Sequence, residues 1–259
     1  MQVTLMRHTV DAEDILIFSK KTRHMTSIDS YDNVVNMSKD EKEQELDYVF
    51  NTIGSSWEFV DYIFLIEGVT RAFTHQLVRH RVGVAFAQQA QRVAKMENFN
   101  FLIPPKFNSL QNASYKECMK EIQWHYDELL DMEADPQDAR GVLPTNILTN
   151  ILCKINLRAL SEMGHIRLCI RAQGEFQNVA LEMSKKAIEV HPWIKQIIGP
   201  RCLVSGCCAF PKYAQCPIKI ANPRLQPMPE DERNNIENSW KALVGNYDPQ
   251  PDVNKSWTK

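Results

Sequence analysis

The sequence predicts an α+β fold. Three observations carry that expectation: several stretches hold helical spacing over ten or more residues, only a few short runs have strand character, and those runs lie far apart in the chain. The chain has 259 residues, 44% of them hydrophobic and 24% charged, a soluble globular composition with ample material for a core.

Residues 1–35 mix short apolar runs with polar stretches and show no clear periodicity. Ser38 and Glu41 have capping-box spacing, which predicts a helix carrying Leu46, Val49 and Phe50 and ending near Gly54. Residues 59–66 (FVDYIFLI) are rich in β-branched and aromatic types and predict a strand covered on both faces, broken at Gly68. A helix is expected over 69–80, an extended segment over 100–106 and an amphipathic helix with an exposed acidic face over 113–133. Asp135-Pro136 opens another helix, which Leu143-Pro144 restarts or kinks. Residues 145–163 read as a long buried helix, 165–170 as an alternating strand and 172–190 as a helix closed by Pro192. From 199 onward Pro, Cys and polar residues dominate, and 222–259 reads as an irregular tail. The expected organisation is one catalytic domain over 1–199 and a Cys-containing extension over 200–259.

No apolar run reaches the length of about 20 residues that a membrane span needs. The first ten residues lack an apolar signal core, so a cytoplasmic protein is expected. Thirty bases against 32 acids give a net charge of −2, which disfavours a general polyanion binder. Seven cysteines without an export signal disfavour a disulfide framework. Cys118, Cys153 and Cys169 are expected to be buried thiols. Cys202, Cys207, Cys208 and Cys216 are either free thiols or four ligands to zinc, the latter strained by the adjacent pair at 207–208. No bound metal is expected.

The average charge hides one asymmetry. Between Glu67 and Glu97 there is no acid, yet the window holds Arg71, His75, Arg79, His80, Arg81, Arg92 and Lys95. A solvated basic face is one reading. Interleaved Leu77, Val78, Val82, Val84 and Phe86 favour another, in which partly buried guanidinium groups await an anion such as phosphate. Arg140, Arg158, Arg167 and Arg171 punctuate a second, otherwise apolar stretch. Glycine-rich phosphate loops, a Ser nucleophile elbow and a zinc-protease motif are all missing from the sequence. With Phe73 and Phe86 the only aromatics in the basic window, nucleic-acid binding is not expected.

Residues 68–81 (GVTRAFTHQLVRHR) and 86–92 (FAQQAQR) resemble the signature of the flavin-dependent thymidylate synthases, which is Arg-His-Arg, seven residues, then Ser-x-Arg. Residues 101–104, 139–144 and 156–160, Arg167 and the run Ala172-Gln-x-Glu175 extend the resemblance over roughly 45–195. It implies mixed helices around a central, mostly antiparallel sheet and a homotetramer with active sites between subunits. It further implies FAD, NADPH and methylenetetrahydrofolate as cofactors, dUMP as substrate and methylation at C5 to give dTMP. Arg167 matches the residue that activates the uracil ring. Gln76, Arg79, Gln88, Ala90, Gln91, Arg92 and Arg140 match or neighbour nucleotide-contacting positions. Ser55, Arg79, His80, Arg81, Gln88, Asn156, Arg158 and Glu162 match flavin-contacting ones.

The chain departs from the pattern in several places. Eight residues, not seven, follow Arg81, Ala90 stands where the motif has Ser, and Gln88 stands where Glu is usual. Glu58-Phe59 replaces Glu-His, Ile53 replaces His, and Glu162 replaces Asn. Such a pocket suits a divergent synthase, a hydroxymethylase acting on dUMP or dCMP, or a catalytically dead nucleotide-binding relative.

Overall fold

The computed structural model describes residues 1–23, 30–52, 54–210, 212–213, 215–218 and 226–227. The chain divides into two compact units, Met1–Pro200 and Arg201–Lys259.

The first unit is built on a four-stranded antiparallel sheet of order β1-β2-β4-β3. Its strands are β1 (Gln2–His8), β2 (Asp61–Thr70), β3 (Val84–Gln88) and β4 (Leu148–Asn156). Helices α1 (Ala12–Thr22), α2 (Tyr31–Val35) and α3 (Lys39–Phe50) separate β1 from β2, and α4 (Arg71–Leu77) follows β2 directly. The helices α5 (Ser109–Asp131) and α6 (Pro136–Ala139) lie between β3 and β4, and α7 (Leu157–Arg167) and α8 (Gly174–Val190) come after β4. The α+β expectation holds, with helices around an antiparallel sheet.

The register explains what the sheet covers. Side chains alternate across a pleated strand, so each crossing row belongs to one face. Leu5, Phe64, Cys153 and Phe86 form one row, flanked on the same face by a row of Tyr62, Ile155 and Val84 and a row of Val3, Ile66, Ile151 and Gln88. Phe64, Cys153, Tyr62, Ile155, Ile66 and Ile151 are all at most 1% exposed, and α1, α7 and α8 pack with them into the main core. The opposite face carries Thr4, Leu65, Leu152 and Ala87 in a row and stays partly open. The strand predicted over 59–66 is therefore covered on one face only, and it continues through Gly68 to Thr70. A register shift between Ile66 and Val69 absorbs Gly68, whose φ of 63° suits a residue without Cβ. A second apolar cluster gathers Met96, Phe99, Met119, Tyr126, Ala139 and Ile147 around α5.

Several expectations need correction. Residues 145–163 are not one helix, because β4 occupies their first part and α7 begins only after Asn156. The strand expected over 165–170 is instead the end of α7 and the turns after it, and Ile166 is 60% exposed. Residues 1–35, read as aperiodic, form β1, α1 and α2. The helix expected over 69–80 is shorter, and β3 arises inside the basic window. Leu143-Pro144 leads out of a 3-10 turn at Arg140–Val142 and restarts no helix. The Ser38 capping box is present, with Ser38 N–H donating to Glu41 Oε2 at 2.8 Å. Cys118 is exposed, not buried.

The second unit, by itself, holds α9 (Arg201–Val204) and a two-residue parallel pairing of β5 (Cys207–Cys208) with β6 (Gln226–Pro227). Cys216 is buried and Cys202, Cys207 and Cys208 are partly so. Most of the tail expected over 222–259 lies outside the described residues. Among the described residues no group of three His, Cys, Asp or Glu side chains could hold a metal ion, and no helix is long and apolar enough to cross a membrane.

Candidate active site

The segment from β2 to β3 supplies most of the candidate residues, and its ends are fixed by specific bonds. Thr70 caps α4 by accepting from Phe73 N–H at 3.0 Å. Glu175, in the first turn of α8, accepts from the Thr70 N–H at 2.7 Å and from its hydroxyl at 2.5 Å. α4 ends at Leu77, so the Arg-His-Arg run at 79–81 leaves a helix end, where its three side chains can diverge. At Gly83 φ is 71°, and a Cβ there would stand 2.4 Å from Asn156 Nδ2. Asn156 N–H donates to Gly83 O at 2.8 Å, while Asn156 Oδ1 caps α7 by accepting from Ala159 N–H at 2.9 Å.

Around Arg167 the polar groups form a chain whose donors are fixed by chemistry. A guanidinium only donates, so Arg167 Nη1 reaches Gln76 Oε1 at 3.3 Å and turns Gln76 Nε2 toward Gln173 Oε1 at 3.2 Å. The guanidinium carbon lies 4.2 Å from the centroid of Phe176, a cation–π arrangement. Burial lowers the pKa of Arg167, and its Nε is buried without a partner. His80 stacks edge-on against the same Phe176 ring at 6.0 Å, and its Nε2 is likewise buried and unpartnered. Burial first and the Arg167 charge second lower the His80 pKa, opposed by Glu162.

The remaining predicted residues fall into two groups. Arg158 lies near the start of α7, donating to Glu58 at 2.7 Å and to Glu162 at 3.1 Å, which raises its pKa. Ser55 is exposed on a 3-10 turn, Gly54–Phe59, that packs beside α7. Gln88 faces the covered side of the sheet and donates to Thr74 Oγ1 at 2.9 Å and Thr149 Oγ1 at 3.4 Å. Gln91 is buried and holds Arg71. Arg79, Arg81, Arg92 and Arg140 are exposed and form no ion pair with a described residue, and Ala90 is exposed beside them in the chain. Ile53 lies outside the described residues.

Sequence reading missed Gln173 and Phe176 as supports of Arg167. Gln173 had a signal, since it stands in a motif run. Phe176 had none, because an aromatic at helical spacing normally signals core.

Arg79 and Arg81 have no acid partners among the described residues, and His80 Nε2 is buried without a hydrogen-bond partner there.

A family model described as "Thymidylate synthase complementing protein" matches residues 4–193. The flavin-dependent thymidylate synthase of Sulfurisphaera tokodaii is 33% identical over 208 residues, 79% of this chain and 80% of that one. The protein of the same name from Clostridium tetani is 31% identical over 230 residues, covering 80% and 90%. Its namesake in Pyrococcus furiosus is 37% identical over 161 residues, covering 58% and 66%. With the family model spanning most of the chain and relatives aligned along most of their own length, this protein belongs to the thymidylate synthase complementing family, the flavin-dependent thymidylate synthases, and is an enzyme of that family.

Proposed function

We propose that the protein methylates dUMP at C5 to give dTMP, using FAD, methylenetetrahydrofolate and NADPH. The observation that carries this reading is Arg167, a half-buried cation without an acid partner among the described residues, aimed by Gln76 and backed by Phe176. A cation in a partly dry site acts strongly on nearby charge. Arg167 is then the group that stabilises negative charge developing on the uracil ring, so C5 becomes nucleophilic without an enzymic thiol adding to the ring.

Bound flavin supplies the hydride that converts the transferred one-carbon unit to a methyl group. Ser55, Arg79, His80, Arg81, Gln88, Asn156, Arg158 and Glu162 are proposed to hold it. Of these, Asn156 acts through the start of α7 that it caps, and Gln88 through its bonds to the Thr74 and Thr149 hydroxyls. Gln76, Arg92 and Arg140 hold the nucleotide together with Arg79 and Gln91. The open row Leu65, Leu152 and Ala87 supports assembly of copies through the sheet, with sites completed between subunits as a homotetramer.

The test is a visible spectrum of the purified protein after loading with FAD, followed by product mass analysis with dUMP and dCMP in parallel. The expected outcome is a yellow protein that forms dTMP from dUMP, and Arg167→Ala should abolish turnover while retaining flavin. A product heavier by one oxygen identifies a hydroxymethylase instead. Tight nucleotide binding with no flavin reduction by NADPH identifies a relative without activity.

A further inference from the structure

Gln173 stands in a motif run without an assigned role, and its bonds supply one. The residue is half-buried at the N-cap of α8, where its carbonyl accepts from Gln177 N–H at 2.9 Å and its side chain makes no cap bond. Two residues further on, Glu175 binds Thr70 at the start of α4. The starts of α4 and α8 are thereby tied together, and Gln76 and Gln173 stay within reach of each other.

Hydrogen-bond chemistry then fixes which way each amide points. Arg167 only donates, so Gln76 turns its Oε1 to Arg167 Nη1 at 3.3 Å and its Nε2 to Gln173 Oε1 at 3.2 Å. Turning the Gln76 amide over would set donor against donor at Arg167 and oxygen against oxygen at Gln173. The Gln173 oxygen is therefore committed. Left over is its Nε2, whose two N–H donors bond to no described residue. Arg167 is itself steadied by the Phe176 ring, 4.2 Å from its guanidinium carbon, and keeps a buried Nε without a partner. The unbonded nitrogens of this relay all offer hydrogens.

Such donors read a pyrimidine at C4. Uracil presents a carbonyl there, an acceptor, whereas cytosine presents an amino group, another donor. The C4 carbonyl is also conjugated with C5, so negative charge that makes C5 nucleophilic settles partly on that oxygen, where a cation stabilises it.

We propose that Gln173 selects uracil over cytosine, donating from Nε2 to the C4 carbonyl beside Arg167, and that Gln76 is the positioning residue that locks the Gln173 amide in that sense. The inference rests on the reading of Arg167 above as the cation at the uracil ring. An amino group brought to the same place meets the amide N–H head-on, and donors on both sides go unsatisfied.

The experiment is calorimetric titration of the full, FAD-loaded chain with dUMP and with dCMP. It compares wild type with Gln173→Leu, Gln173→Glu, Gln76→Glu and the double variant Gln76→Glu/Gln173→Leu. Wild type should prefer dUMP by about 10- to 100-fold, and Gln173→Leu should bring the two nucleotides within about threefold by weakening dUMP. Gln173→Glu should invert the preference, because a carboxylate only accepts. Gln76→Glu should also move the preference toward dCMP with Gln173 untouched. Its carboxylate accepts from both Arg167 and Gln173 Nε2, so the Gln173 amide turns over and presents Oε1 to the base. The double variant should show no preference. General damage weakens both nucleotides alike, so their affinity ratio is the readout. A wild type that prefers dCMP overturns the proposal, as does a ratio unchanged in Gln173→Leu and Gln173→Glu, and the latter result leaves the nucleotide reading intact. A ratio that responds to Gln173→Glu but not to Gln76→Glu overturns the positioning role of Gln76. An FAD-loaded wild type that binds neither nucleotide overturns the nucleotide reading and this inference with it. If Gln173→Leu does not fold, the two nearly isosteric Glu variants carry the same comparison.

Discussion

Gly83 and Asn156 compete for one small volume, and the competition is settled by the absence of a Cβ. With φ at 71° and Asn156 side-chain atoms 2.4 to 2.6 Å from where a Cβ would stand, alanine at 83 meets both strain and collision. Gly83→Ala should destabilise the protein by about 2–3 kcal/mol, combining left-handed strain with loss of the α7 cap. Adding Asn156→Gly should cost less than the sum of the two single changes, which urea unfolding would show. A second residue-scale expectation concerns His191, which is bonded to the Tyr62 hydroxyl at 2.8 Å and packed on His8 and Trp193. Burial first, then the neighbouring His8, depress its pKa to about 4, against 6.5 for the free side chain. As pH falls from 6.5 toward 4 the unfolded chain takes the proton first, so stability drops by up to about 3 kcal/mol over that window. His191→Gln should flatten the pH profile of unfolding there. At this scale three residues named from separate motifs come together in the structure: Gln76 accepts from Arg167, and Arg167 and His80 both lie against Phe176. The sequence was silent on Phe176, because a supporting contact leaves no spacing of its own.

At the scale of elements, the junction between β2 and α4 depends on a residue from α8. Glu175 satisfies both the N–H and the hydroxyl of Thr70, which is 2% exposed. Glu175→Ala should cost about 2–4 kcal/mol, since two buried donors lose their acceptor, whereas Glu175→Gln should cost less by keeping one. Equilibrium denaturation of both variants distinguishes these outcomes. The same scale shows why β4 read as helix. Ile147, Thr149, Ile151, Cys153 and Ile155 alternate onto the core face, but Leu148 and Leu152 on the other face add helical spacing to the pattern. A strand with apolar residues on both faces has no unique period. α3 was legible for the opposite reason, because its capping box at Ser38 marks its start by local chemistry alone, whereas α5, expected from 113, starts earlier, at Ser109, behind a capping box on Asn108. β1 went unread since only Val3 on this edge strand is fully buried, too little for a pattern to register.

For the whole molecule, the open face of the sheet carries a consequence for association. Leu152 is 36% exposed and pairs with Leu65 on one side and Ala87 on the other, a continuous apolar row. Leu152→Asp should lower the mass measured by light scattering toward that of a single chain while leaving the helical circular dichroism intact. The topology also sets the order in which the molecule must come together. β2 and β4 are neighbours at the centre of the sheet, yet Thr70 faces Leu148 with α4, β3, α5 and α6 strung between them. Closing that loop costs chain entropy before the central ladder returns any of it. Within the four-stranded sheet every strand but β1 has β4 as a partner, or is β4 itself. During synthesis from the N-terminus, β1, β2 and β3 therefore emerge without the strand that joins them, and Tyr62, Phe64 and Ile66 must wait with an unpaired edge until β4 leaves the ribosome.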